Sequence, residues 1–231
     1  MGQRRFEAQR CPACGLHQPL CVCAQRPQLQ LRTKIVVLQN NKERNKPTNT
    51  GRMLPQVLGN CELLHIGVRN LEFDPSPLAR PDHDYRLIFP RVHDPEGARP
   101  RLAPELSADD FSERRMQRPE LTQTIVLLDG TWAQCSRMSR RTPMLADMQA
   151  FALPDGPASH WGVRTASEPS RISTFEAAIR VIELAEGPTP AKQMQAYFDR
   201  VAAGMLFMKA KLRSPEVPVE WIAERHQRFG C

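Results

Sequence analysis

At 231 residues and 26.2 kDa the chain is long enough for one main hydrophobic core with at most a small satellite, since single domains commonly run to about 100–200 residues. Its 41% apolar content is ordinary for a globular protein, and no apolar run approaches the roughly 18 residues of a membrane helix, so no membrane partner is expected. Lys and Arg outnumber Asp and Glu by 32 to 25, and a net charge of +7 favours a polyanionic partner without identifying one.

The opening residues, Met1-Gly2-Gln3-Arg4-Arg5-Phe6, lack the apolar stretch of a secretory signal, and a cytoplasmic location is expected. Cys11, Cys14, Cys21 and Cys23 follow as C-x-x-C and C-x-C, the four soft thiolates of a closed tetrahedral zinc site. Pro12 and Gly15 suit a knuckle turn whose amides point at sulfur, and His17 is an alternative ligand in place of one member of the Cys21/Cys23 pair. Cys61, Cys135 and Cys231 are isolated and read as packing or surface thiols. The natural division is a zinc-binding module over 1–30, a main domain over 31–213 and a peripheral tail over 214–231.

Thr33–Gln39 has the length and β-branched content of a first core strand, and the polar loop 40–47 follows it. Thr48-Asn49-Thr50-Gly51-Arg52 opens a short helix carrying Leu54, Val57 and Leu58, with Gly59 as its stop. Small polar residues and an arginine at such a start suit either an anion, an RNA phosphate for instance, or ordinary N-capping by Thr48 or Asn49. A second strand is expected at Cys61–Gly67 and a third at Tyr85–Pro90, with proline-rich loops over 74–81 and 91–104. A brief helix capped by Ser107 runs to Gln117, and Arg99, Arg101, Arg114, Arg115 and Arg118 are read as solvated or phosphate-facing.

Thr124–Leu128 is the clearest buried strand, and it delivers Asp129-Gly130-Thr131-Trp132 to a sheet rim, where α/β proteins place their ligands. A carboxylate there serves as a general base, a helix cap or an arginine's partner. Thr131 is the expected cap of a helix that puts Trp132, Cys135, Met138 and Ser139 on one face and Arg137, Arg140 and Arg141 on others. His160–Arg164 is read as another short strand. Ser173 and Glu176 then form a capping box before the stripe Phe175, Ala178, Ile179 and Ile182, which ends at Gly187-Pro188. A last helix is expected from the cap Thr189, with Met194, Phe198, Val201, Met205 and Met208 buried and Lys209, Lys211 and Arg213 at its end.

Four of these segments in order, Thr48–Arg52, Leu87-Ile88-Phe89-Pro90, Asp129–Trp132 with Arg137–Pro143, and Ser173–Ala177, resemble the motifs of the DTW-domain family. Bacterial members of that family carry a cysteine cluster like the one here. The resemblance implies an α/β fold with a SPOUT-like sheet and a knotted cofactor-binding region. It also implies a tRNA-uridine aminocarboxypropyltransferase, which moves the 3-amino-3-carboxypropyl group of S-adenosylmethionine to uridine N3 and releases methylthioadenosine. Asp129 is then the candidate base, and Leu87, Phe89, Pro90, Gly130, Thr131, Trp132, Arg164, Ser173 and Thr174 the candidate cofactor pocket. Asn49, Thr50, Arg52, Arg137, Arg140 and Arg141 are the candidate tRNA contacts, with Arg52 and Arg164 alternative clamps for the cofactor carboxylate. Trp161, where relatives are expected to have tyrosine, and the long 91–117 segment depart from the family pattern. The competing readings are an S-adenosylmethionine-dependent methyltransferase of the same fold and a noncatalytic zinc-containing RNA-binding protein. Oligomeric state stays open.

Overall fold

A computed structural model describes residues 9–92, 101–163, 171–209 and 211–212. The apolar runs form a parallel sheet in the order β2-β1-β6-β3-β7, from β1 (Lys34–Asn40), β2 (Cys61–Ile66), β3 (His83–Ile88), β6 (Thr122–Asp129) and β7 (Ala150–Phe151). A separate ribbon pairs β4 (Arg91–Val92) with β5 (Arg101–Leu102). The central strands β1 and β6 are apolar on both faces because both faces are covered, the usual condition of parallel sheets.

Alternation along the strands divides the core. Ile35, Val37, Ile125 and Leu127 pack under α1 (Leu54–Val57), α5 (Thr174–Glu186) and α6 (Pro188–Met208). Val36, Leu38, Val126 and Leu128 pack under α3 (Trp132–Arg141) and α4 (Pro143–Ala146). The remaining helix, α2 (Ala108–Gln117), is closed by Ser107 and Asp110 acting as a capping box. Phe175 of α5 stacks on Phe198 of α6 at 5.0 Å between ring centroids, joining the two long helices.

The cysteine segment belongs to this core. Leu16, Leu20 and Val22 are buried with Met205 and Phe198, and a side chain at Gly204 of α6 would meet the Leu16 methyl carbons at 2.8 and 2.9 Å. No helix among the described residues is long and apolar enough to cross a membrane.

Three expectations change. His160–Val163 is not a strand: the Glu176 carboxylate takes the His160 amide at 2.7 Å, and Val163 N donates to Trp161 O in a tight turn. Arg164, Arg99, Cys231 and the tail from Arg213 lie outside the described residues. The last helix starts at Pro188, directly after Gly187, so Thr189 is inside the first turn and not its cap. Arg114 and Arg115 are anchored rather than freely solvated, the first forked onto Asp84 at 3.0 Å through both nitrogens, the second on Glu186 at 3.0 Å.

Because Leu16 is fully buried against α6, Leu16→Ala should lower stability by about 2–5 kcal/mol in urea denaturation, the usual cost of a deleted core leucine. A cost near zero would mean that the cysteine segment does not share the main core.

Candidate active site

The sheet order makes a crevice. The connection from β1 leads to β2 on one side and that from β6 leads away toward β7 on the other, so the chain departs in opposite directions at the carboxyl ends of two adjacent strands. Gln39 and Asp129 face each other in register at that edge.

Asp129 is 3% exposed, and three neutral side chains donate to its carboxylate among the described residues. Gln39 Nε2 donates to Oδ2 at 2.7 Å, Asn49 Nδ2 donates to Oδ2 at 2.6 Å, and Thr174 Oγ1 donates to Oδ1 at 2.7 Å. Gln39 Nε2 also donates to Asn49 Oδ1 at 3.0 Å, which sets the orientation of both amides. Gly51 completes the enclosure: a Cβ there would lie 2.6 Å from the carboxylate carbon, so no larger residue fits beside Asp129.

A cavity of about 280 Å³ opens over this carboxylate, close to the roughly 300–1,000 Å³ range of small-ligand clefts. The candidates Asn49, Thr50, Asp129, Gly130, Thr131, Trp132, Ser173 and Thr174 all line it. Thr131 caps α3 and Ser173 caps α5, each in a capping box, so two helix starts converge on the space. Glu176 fixes the far wall by accepting from Ser159 Oγ (2.8 Å), the His160 amide (2.7 Å) and the Ser173 amide (2.7 Å).

Other candidates fall elsewhere. Leu87 is core, Phe89 reaches the site only through Trp132 at 5.7 Å between ring centroids, and the Pro90 carbonyl accepts the Ala103 amide. The reason is positional: β3 lies on the far side of β6 from the crevice. Asn49 and Thr50 are buried rather than surface-facing; Asn49 Oδ1 caps the short helical turn by taking the Arg52 amide at 3.1 Å, and Thr50 Oγ1 accepts the Phe175 amide. Arg52 is held by the carbonyls of Pro12, Pro47 and Asn49 and does not line the cavity. Arg137, Arg140 and Arg141 are exposed on α3.

Thr48, Ser159, Trp161, Arg171 and Ile172 line the cavity without having been singled out for it from the sequence. The Arg171 guanidinium lies 5.0 Å over the Trp132 ring, so the lining carries a cation as well as an acid. Its one sequence signal was its position two residues before the Ser173 cap. Cys135 is no nucleophile, since burial and then the Asp129 charge push its thiol up to about 12; burial does the same to Cys61.

Cys11, Cys14, Cys21 and Cys23 converge, with all four sulfurs within 4.8 Å of one another and His17 outside the set. Cys11–Cys23 and Cys14–Cys21 are 3.6 and 3.9 Å apart, against about 3.8 Å for an edge of a tetrahedron with Zn–S of about 2.3 Å. Burial pushes the Cys14 and Cys23 thiols up, whereas at Cys11 donation from the Cys14 and Ala13 amides overrides burial and leaves that thiol near 7. The donor set fits zinc.

A parallel α/β sheet with an acid-bearing cavity at its switch point and a cluster of four cysteines that could hold a metal defines the class of the fold and site. The DTW domain profile matches residues 8–206, cysteine segment included, and the chain belongs to the DTW domain family. It is similar to tRNA-uridine aminocarboxypropyltransferase 2 of Mus musculus, 25% identical over 186 residues that cover 78% of this chain. The chain spans 58% of the length of that relative. No solved structure matches it.

Removing the Asp129 carboxylate would orphan the buried Gln39 and Asn49 donors, at about 1–3 kcal/mol each, so Asp129→Ala should be strongly destabilising in urea denaturation. Asp129→Asn should cost distinctly less, because its oxygen keeps both amides and its new amide donates to a turned Thr174 hydroxyl. Equal losses would contradict the hydrogen-bond assignment.

Proposed function

We propose that this chain is an S-adenosylmethionine-dependent tRNA-uridine aminocarboxypropyltransferase acting at uridine N3. The observation that carries the reading is the Asp129 carboxylate, held by the neutral donors Gln39, Asn49 and Thr174 and lining a cavity whose walls also carry Arg171 over Trp132. Family membership and the mouse relative's name support the reaction class.

Bound S-adenosylmethionine would supply a sulfonium with electrophilic neighbouring carbons. Its other demands match the lining: an adenosine suits Trp132, Trp161 and the hydroxyls of Thr48, Ser159 and Ser173, and an α-carboxylate suits Arg171. In this reading Arg171 takes the clamp role, and Arg52 is held elsewhere. Gly130 and Thr131 offer backbone at close range. Asp129 Oδ1, which receives one donor, takes the N3–H proton as the N–C bond forms; the C–S bond breaks, its electron pair stays on sulfur and neutral methylthioadenosine leaves. Orientation by the walls decides which carbon faces the nucleophile, and hence aminocarboxypropyl over methyl transfer.

Trp132 at the cavity starts α3, and a ten-residue helix is about 15 Å long, so exposed Arg137, Arg140 and Arg141 extend a basic ridge away from the mouth for a tRNA backbone. Zinc on Cys11, Cys14, Cys21 and Cys23 is structural, with all four positions filled by protein. The same reading keeps 1–30 as the zinc-binding module, 31–213 as the catalytic domain and 214–231 as a tail. It also keeps a relation to the SPOUT enzymes, supported by the ligand crevice at the strand ends of a parallel sheet, and a cytoplasmic location, where tRNA is found.

The test is incubation of the protein with S-adenosylmethionine and tRNA from cells lacking the gene, followed by nucleoside mass spectrometry. A uridine carrying the aminocarboxypropyl increment is expected; a methyl increment, or tRNA binding without consumption of S-adenosylmethionine, overturns the reading. Asp129→Asn should lower kcat by about 10²–10⁴-fold, the usual contribution of a positioned base, with S-adenosylmethionine affinity held within about a factor of three. Purified protein should carry a single equivalent of zinc by emission spectrometry, lost in Cys14→Ser.

A further inference from the structure

The hydrogen bonds around Asp129 continue past Asn49 to the cysteine cluster. Arg52 donates from Nε to the Asn49 carbonyl at 3.3 Å, from Nη2 to the Pro47 carbonyl at 3.2 Å and from Nη1 to the Pro12 carbonyl at 3.0 Å. Pro12 sits inside the Cys11–Cys14 knuckle. The Arg52 amide in turn donates to Asn49 Oδ1 at 3.1 Å, and the Asn49 amide donates to Asp129 at 2.6 Å.

The knuckle is shaped for this guanidinium. Gly15 has φ +80°, and a Cβ there would fall on Arg52 Nη2 and lie 2.8 Å from the Pro47 carbonyl. From the other side, the loop that leads to Asn49 holds itself up to Lys46, through the capped turn Asn41–Glu43, the Lys46–Glu43 ion pair and the Lys46 carbonyl that accepts the Asn49 backbone amide. The Arg52 fork then ties the Pro47 and Asn49 carbonyls to the knuckle. A lysine has a point charge but no planar fork, and it cannot span three carbonyls at fixed angles.

We propose that Arg52 is a positioning residue that couples the four-cysteine cluster to Asp129. When the cluster holds its metal, the Pro12 carbonyl is fixed, the guanidinium is fixed on it, and Asn49 holds the carboxylate in the orientation that receives the uridine proton. The catalytic part of this rests on Asp129 acting as the base. The coupling itself rests only on the hydrogen-bond path.

The test uses the full chain, zinc-loaded, in hydrogen–deuterium exchange read on peptides covering 48–53, with peptides from β6 as the control for global folding. Arg52→Ala with zinc still bound should speed exchange at 48–53 about tenfold or more while β6 stays protected, and chelation of zinc from the native protein should speed the same segment. Arg52→Lys should restore protection only in part. With tRNA, Arg52→Ala should lose about tenfold or more in kcat with S-adenosylmethionine affinity within about a factor of three, a split that general destabilisation does not produce. Unchanged exchange at 48–53 in Arg52→Ala overturns the coupling even if chelation unfolds the chain. Faster exchange in Arg52→Ala from a protein whose native form transfers no aminocarboxypropyl group supports the coupling and overturns the reading of Asp129 as base.

Discussion

A carboxylate taken out of water must have its lone pairs met, and at Asp129 three neutral donors from three parts of the chain meet them. Gln39 comes from a neighbouring strand, Asn49 from the loop after it, and Thr174 from a helix start far along the sequence. Each is then fixed in turn: Gln39 by its second bond to the Asn49 oxygen, Asn49 by the Arg52 amide it accepts, and Thr174 by the α5 capping box. Meeting the acid with amides and a hydroxyl has a further effect. It ties a strand, a loop and a helix start to one group, beside a cavity whose lining also carries Arg171 over Trp132.

The sheet makes that meeting inevitable. Pairing β1 with β6 in parallel register puts Gln39 directly beside Asp129, and the opposite departures of the two chain ends leave the space above them open. Helices α3 and α5 both begin at this edge, so their capped first turns form walls without irregular backbone. Residues on β3, one strand farther out, face core or Trp132 and not the crevice, although their motif stands among those of the family.

Much of this was legible before the fold. β1 and β6 stand out as apolar runs because they are buried on both faces, α2, α3 and α5 carry Ser or Thr caps, and the cysteine spacing suits the cluster that forms. What escaped was set by tertiary contact. The two-residue strand β7 is too short to carry a period, and the 152–173 connection that supplies Ser159, Trp161 and Arg171 has none. Thr48 to Arg52 read as either an anion site or an N-cap, and Asn49 does cap the turn; that Asn49 and Thr50 are both buried was not legible, since a polar side chain is content inside once its partners are there. Arg52 read as an anion clamp because sequence shows a charge and not the carbonyls that surround it.

The cysteine segment explains why a polar loop can hold a catalytic-type geometry at all. Leu16, Leu20 and Val22 bury this segment in the core that includes α6, and its four cysteine sulfurs gather within 4.8 Å of one another. Tyr197 of α6 approaches Cys23 at 4.0 Å, so the cluster is packed against the same helix that supports α5 and, through its first turn, Thr174. The segment therefore touches the site from two directions, through α6 and α5 to one oxygen of Asp129, and through Arg52 and Asn49 to the other. A ring of contacts that closes on both oxygens constrains the carboxylate's rotation as well as its position, which no single hydrogen bond to a mobile loop can do.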